Sequence, residues 1–265
     1  MGDVLGVIPA RYGSSRLEGK PLAKIDGVTL LERVWNQARQ ATMLDRLVIA
    51  TDDQRVHDVA RKFGAESILT DPALTTGSAR VEAAACIMSK ERAGASWGAV
   101  VNIQGDMPFI APSTIDQAIA MLKNAPDRWG MVTIALPLDR EERMRDPNVV
   151  KVVVDRNGRA LYFSRAEVPF TFSRATTRYL LPGVTKPVFG LQHLGLYVFR
   201  PDALSYFASA PPSALELREN LEQLRVLEGG FQVGVVVVES DVERQRIEVN
   251  TPDDLARAEQ VLTHL

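Results

Sequence analysis

Short apolar runs alternate with stretches of helical period through the first half of this chain, and that alternation predicts its fold. Residues 4–8 read as a buried strand, and the apolar spacing over 30–41 as an amphipathic helix. Further strands are expected at 46–50, 67–69 and 99–103, with helices at 54–63 and 80–92. Strand, helix, strand, helix in that order predicts an α/β fold: Rossmann-like, with a mostly parallel central sheet and helices on both faces. Sheets of this kind bind ligands at the carboxyl ends of their strands. The loops after Ile8, Ala50 and Ile103 are therefore the first places to look for chemistry.

The rhythm changes after Asn124. Residues 131–136, 149–154 and 160–164 read as strands joined by turns, with Asp155-Arg156-Asn157-Gly158 as a hairpin signal. Another strand is expected at 193–199, a short helix from Pro201 and a longer one over 214–227. The polar stretch 171–187 is expected to form a loop or lid. Residues from about 130 to 200 read as a smaller mixed α/β subregion inserted into one domain spanning 1–265. Residues 233–238 are expected to return to the main sheet. Thr251-Pro252-Asp253-Asp254 marks a helix start, with Thr as cap, Pro at the first position and acids in the first turn.

Composition narrows the partners. The 265 residues are 46% apolar, enough for one large core. A net charge of −2 gives no reason to expect nucleic acid or an anionic membrane as partner. Cys86 is the only cysteine, which excludes an intrachain disulfide. Its neighbours Ala83, Ala84, Ala85 and Ile87 predict a small buried side chain. No apolar run reaches the length of a membrane span, and the N-terminus lacks a basic start, so no signal peptide is expected and the cytoplasm is the expected location.

The first loop is the densest in chemistry. Residues 8–22, IPARYGSSRLEGKPL, follow a strand and have the composition of a polyphosphate-binding loop. Gly13 and Gly19 allow backbone N–H groups to approach an anion, and Arg11, Arg16 and Lys20 supply the charge. A Walker P-loop is excluded, because five residues separate the glycines and Pro21 follows Lys20. The alternative is a basic surface loop. Gln104-Gly105-Asp106 ends another strand, where a carboxylate suits Mg²⁺ or simply caps a turn. Residues 75–80, TTGSAR, set hydroxyls and Arg80 at a helix start, as a base or phosphate contact or as an ordinary cap. Period two puts His193, Gly195 and Tyr197 on one strand face, either lining a polar pocket or as a structural histidine. Arg165 follows a strand and suits a planar carboxylate or a surface ion pair.

Taken in order, the first loop, Gln104-Gly105-Asp106, ALYFSR at 160–165, HLGLY at 193–197, LEQLRVL at 221–227 and the segment 249–255 resemble the 3-deoxy-D-manno-octulosonate cytidylyltransferases, or CMP-Kdo synthetases, over nearly the whole chain. The resemblance implies a homodimer paired through the inserted subregion. It implies transfer from CTP to the sugar acid Kdo with release of pyrophosphate, and Mg²⁺ as cofactor. It assigns Arg11, Ser14, Arg16 and Lys20 to the phosphates, and Ala10, Thr76, Ser78, Arg80 and Gln104 also to the nucleotide. Gln104, Arg165, His193, Tyr197, Glu222 and Gln223 would contact the sugar, and Asp106 and Asn250 the metal. Arg11, Lys20 and Asp106 would carry the catalysis.

Three positions depart from the family pattern. Glu18 stands where Pro is usual, Met107 where an acid or amide is usual, and Asn250 where a metal-binding Asp is usual. Asn keeps an oxygen but loses the charge, so Mg²⁺ is expected to bind more weakly. Glu248, on the same strand face by period two, is expected to compensate. These departures leave room for a related sugar acid, such as an 8-amino relative of Kdo, or for a catalytically weak homologue.

Overall fold

The computed structural model describes residues 2–14, 16–74, 76–172, 178, 180–181 and 183–263. Contacts divide the chain into a first unit, Met1–Asp116 with Glu243–Leu265, and a second, Gln117–Val242.

The first unit begins with β1 (Val4–Ala10), buried along nearly all its length, as a central parallel strand must be. A 3₁₀ turn at Lys20–Leu22 and a small hairpin, β2 (Lys24–Ile25) and β3 (Val28–Thr29), lead into α1 (Leu30–Ala38). There follow β4 (Arg46–Thr51), α2 (Gln54–Lys62), β5 (Ser67–Leu69), α3 (Gly77–Glu91) and β6 (Ala99–Asn102), and then α4 (Pro112–Asn124), which starts in the first unit and ends in the second. The strands pair in parallel in the order β6-β1-β4-β5. Short polar side chains cap the helices. Thr29 accepts from Glu32 N, Asp53 from Arg55 N and Thr76 from Ala79 N, each satisfying a first-turn N–H. The parallel α/β architecture expected from the element order is the one observed.

The second unit contains β7 (Trp129–Leu138), α5 (Glu142–Arg145), β8 (Lys151–Val154), β9 (Ala160–Ser164), β10 (Gly190–Phe199), α6 (Pro201–Ser209), α7 (Ala214–Glu219), α8 (Gln223–Glu228) and β11 (Gln232–Val237). Strand β11 pairs with β7 in parallel, while β10 pairs antiparallel with β7 and β8, and β8 antiparallel with β9. The single helix expected over 214–227 is two short ones. Asn220 adopts a left-handed conformation (φ 53°, ψ 51°), which a continuous helix does not permit and which Asn tolerates better than most residues.

The chain then returns to the first unit through α9 (Val242–Gln245) and α10 (Pro252–Thr263). Val249 and Ala258 join Ile25, Leu30 and Phe109 in a buried cluster, with Leu17 of the first loop packed against it. That cluster anchors the segment before α10. The segment is not the strand expected there: residues 247–250 are irregular, with Val249 N donating to Asp106 O at 2.9 Å. The alternation invoked for Glu248 and Asn250 therefore has no strand to rest on.

Cys86 also departs from expectation. It is exposed on α3, and its thiol donates to Glu82. Local burial and the Glu82 carboxylate push its pKa up to about 11, so it stays a thiol. Part of the stretch expected to form a lid, residues 173–177, 179 and 182, lies outside the described residues, as do Ser15 and Thr75.

Candidate active site

At the carboxyl end of β1 the first loop wraps a cavity of about 410 Å³. Ala10, Arg11, Ser14, Arg16, Lys20, Gln104 and Asp106 all line it, with Pro9, Gly13, Pro21, Gly77 and Gly105. Two glycines make the shape possible. Gly19 sits at φ 64° immediately before the 3₁₀ turn, and its N–H donates to Tyr12 O. A Cβ on Gly105 would lie 3.0 Å from Pro9 O, so the two loops approach more closely than a side chain allows.

Lys20 opens the 3₁₀ turn, with Pro21 next, and its ammonium donates to Asp106 Oδ2 at 2.8 Å and Asn250 Oδ1 at 3.1 Å. Arg16 donates to the same Asn250 oxygen at 3.0 Å. Two hard oxygens thus already share one cation, which is the donor chemistry Mg²⁺ requires. Among the described residues no three His, Cys, Asp or Glu side chains gather as a metal site. The side-chain oxygens that meet Lys20 are those of Asp106 and Asn250. Glu248 is drawn into the same field. Burial and the charge of Asp106 raise its pKa to about 7, against the opposing pull of Lys20 and Arg16. Glu18 is exposed, and Met107 is buried.

The TTGSAR segment works differently from its neighbours. Among its described residues Gly77 lines the cavity, and Thr76 caps α3. Ser78 is fully buried and accepts from Asn102 Nδ2 at 3.1 Å. Arg80 is fully buried too, donating to Thr70 Oγ1, Asp52 Oδ2 and Leu74 O. The Asp52 oxygen that takes Arg80 at 3.0 Å also lies 4.0 Å from Arg11 Nε, so Asp52 links a buried arginine to a cavity arginine. A second brace was not foreseen. The Arg55 guanidinium stacks 3.5 Å over the Tyr12 ring and is gripped by both oxygens of Asp53. The Arg55 contact holds Asp53 below the usual carboxylate pKa. The sequence signal was the Asp52-Asp53 pair directly after a strand.

In the second unit, His193, Tyr197 and Gln223 come together. The Tyr197 hydroxyl donates to Gln223 Oε1 at 3.2 Å, and Gln223 Nε2 lies 3.5 Å from His193 Nδ1. His193 Nε2 lies 2.9 Å from Thr133 Oγ1, whose hydroxyl reaches Leu196 O at 2.7 Å. An amide nitrogen can only donate, so Nδ1 accepts and Nε2 carries the hydrogen. The network spans an irregularity in β10 between Leu194 and Tyr197, and the His193 and Tyr197 rings lie 5.7 Å apart. Burial pushes the His193 pKa down to about 3, so the ring is neutral at working pH. Thr133 gave no sequence signal, since its partner lies 60 positions away.

Arg165 stands at the end of β9 and spends three of its five N–H donors on backbone carbonyls. These are Glu219 O at 2.8 Å, Pro147 O at 2.9 Å and Asn220 O at 3.4 Å. Glu222 is half-buried at the start of α8, two residues beyond Asn220.

The family profile described as cytidylyltransferase matches residues 5–240. The 3-deoxy-manno-octulosonate cytidylyltransferase of Syntrophotalea carbinolica is 43% identical over 97% of each chain. That of Leptospira interrogans is 41% identical over 96% of this chain and 94% of its own. A solved CMP:2-keto-3-deoxy-manno-octonic acid synthetase complexed with CTP superposes with a TM-score of 0.85 at 29% identity, covering 99% of both chains. The chain belongs to the cytidylyltransferase family and, within it, to the 3-deoxy-manno-octulosonate cytidylyltransferases.

Proposed function

We propose that this protein joins CTP to Kdo, giving CMP-Kdo and pyrophosphate by attack of the sugar's anomeric hydroxyl on the α-phosphorus. The observation that carries the reading is the cavity in which Arg11, Arg16, Lys20 and Asp106 gather beside Asn250. Phosphoryl chemistry of this kind needs positioning and charge neutralisation more than covalent help. Arg11, Arg16 and Lys20 would grip the phosphates, with Ala10 and Ser14 shaping the loop around them. Thr76, Ser78 and Arg80 would support the nucleotide from the start of α3, Arg80 through Asp52 rather than by contact. Gln104 would serve the nucleotide and the sugar.

Asp106 and Asn250 would hold the Mg²⁺ that neutralises phosphate oxygens. In the second unit Arg165 would take the sugar carboxylate, and His193, Tyr197, Glu222 and Gln223 its hydroxyls. His193 would do so as a fixed neutral ring, because burial denies it the proton a general acid needs. We further propose a cytoplasmic homodimer.

The test is pyrophosphate release with CTP and Mg²⁺ against Kdo and a panel of related sugar acids. Turnover on Kdo is expected. Turnover only on another acid would reassign the sugar. CTP binding with no turnover on any acceptor would overturn the catalytic reading.

A further inference from the structure

We infer that Glu219 is a positioning residue for sugar-acid recognition, pinning the strand end that carries Arg165 to the turn that leads into Glu222 and Gln223. The inference rests on the assignment of those three residues to the sugar acid. Glu219 ends α7, and its donors all belong to the end of β9. One carboxylate oxygen accepts from Ser164 Oγ at 2.7 Å and Tyr162 OH at 3.4 Å, and the other from Arg165 N at 3.0 Å. Its backbone carbonyl takes Arg165 Nε. Burial raises the Glu219 pKa, but these hydrogen bonds outweigh it and leave the carboxyl below its usual value.

The next residue is the left-handed Asn220, whose carbonyl also takes Arg165, and α8 begins three residues later at Gln223. From the opposite side the fully buried Lys151 donates to Asp146 O, Val149 O and Arg165 O. One carboxylate thereby couples two strings 55 positions apart, and the Arg165 guanidinium is tied to the same turn separately, through the carbonyls of Glu219 and Asn220.

Glu219→Gln tests this. Gln loses the charge and keeps one acceptor oxygen; with that oxygen on the Arg165 N–H, its N–H₂ faces the Ser164 and Tyr162 hydroxyls, which must reverse from donating to accepting, although Ser164 Oγ already accepts from Ala166 N. The KM for the sugar acid should rise roughly tenfold, the scale of one charge-assisted hydrogen bond, while the KM for CTP and kcat stay within about twofold. Hydrogen exchange should show lost protection at the Arg165 amide. Arg218→Gln, exposed on the same helix, should change neither. An unchanged sugar KM alongside wild-type turnover would overturn the inference. So would a parallel rise in both KM values with a lower Tm, which is what mere support of the fold would give. If the wild-type protein does not turn over Kdo, the functional reading falls by itself. The exchange measurement then still decides the pin, which unchanged protection at Arg165 would overturn and lost protection would support.

Discussion

At Asn250 one atom decides how much charge the cavity holds. Lys20 and Arg16 both donate to Asn250 Oδ1, and Lys20 also to Asp106. With an amide there, Asp106 is the formal charge of the pair, and Glu248 holds its proton to about pH 7. Asn250→Asp should therefore lower the Mg²⁺ concentration needed for half-maximal turnover by about tenfold, since added ligand charge tightens a hard-cation site. A Mg²⁺ titration of the two proteins checks this, and identical midpoints would show that Asn250 takes no part in the metal site. His193 supplies a second test at this scale. Its folded pKa, about 3, lies below the ordinary 6.5 of the unfolded chain, so between those values the unfolded state binds the extra proton. The stability owed to the neutral ring is present above pH 6.5 and is lost as pH falls toward 3, by up to about 1.4 kcal/mol per pH unit. Thermal melts from pH 7 to pH 4 should fall more steeply for the wild-type protein than for His193→Gln. Parallel curves would mean that the ring is protonated in the fold.

Among the elements, the break between α7 and α8 is the clearest case of a local conformation serving the site. Asn220 holds a left-handed backbone that costs an ordinary L-residue about 1–2 kcal/mol. Asn220→Ala should lose about 1 kcal/mol in urea unfolding and weaken sugar-acid binding, whereas Asn220→Gly should keep both near wild type. Equal stability of the Ala variant would mean that the turn relaxes without loss. This break also marks a limit on what periodicity reveals. The apolar spacing of 214–227 continues through Asn220, but the left-handed Asn220 and the Leu221 N–H bonded back to Glu216 O end the helix, and Arg165 takes the carbonyls of Glu219 and Asn220. The strands of the first unit were readable because each is a short apolar run between turn residues. The hairpin at 24–29 and helix α4 were not anticipated. Cys86 was misjudged from its alanine neighbours, since the 100° step of a helix carries it to the exposed face of α3. In the cavity, charge density alone exposed Arg11, Arg16 and Lys20. Asn250 carries no charge to notice, and the resemblance alone pointed to it.

For the molecule as a whole, the second unit leaves apolar surface uncovered. Phe170 is 83% exposed, Phe172 96% and Leu180 65%, all within eleven positions of one another in the segment between β9 and β10. Large apolar side chains left exposed close together in sequence are candidates for an interaction surface. The proposed homodimer gives them a partner: a buried Phe removes roughly 150–250 Å² from water. If that face joins two copies, Phe172→Asp places a carboxylate in a desolvated contact on both sides of the axis, because a twofold interface repeats every change. Such a charge costs several kcal/mol, enough to weaken association by about a thousandfold or more. Light scattering should give the wild-type protein twice the 29.2 kDa of one chain and the variant 29.2 kDa. CTP should still bind the variant, since the described residues lining the proposed phosphate site all belong to the first unit. A wild-type protein that is monomeric at tens of micromolar would sink the proposal. A variant that stays dimeric would move the interface away from Phe172.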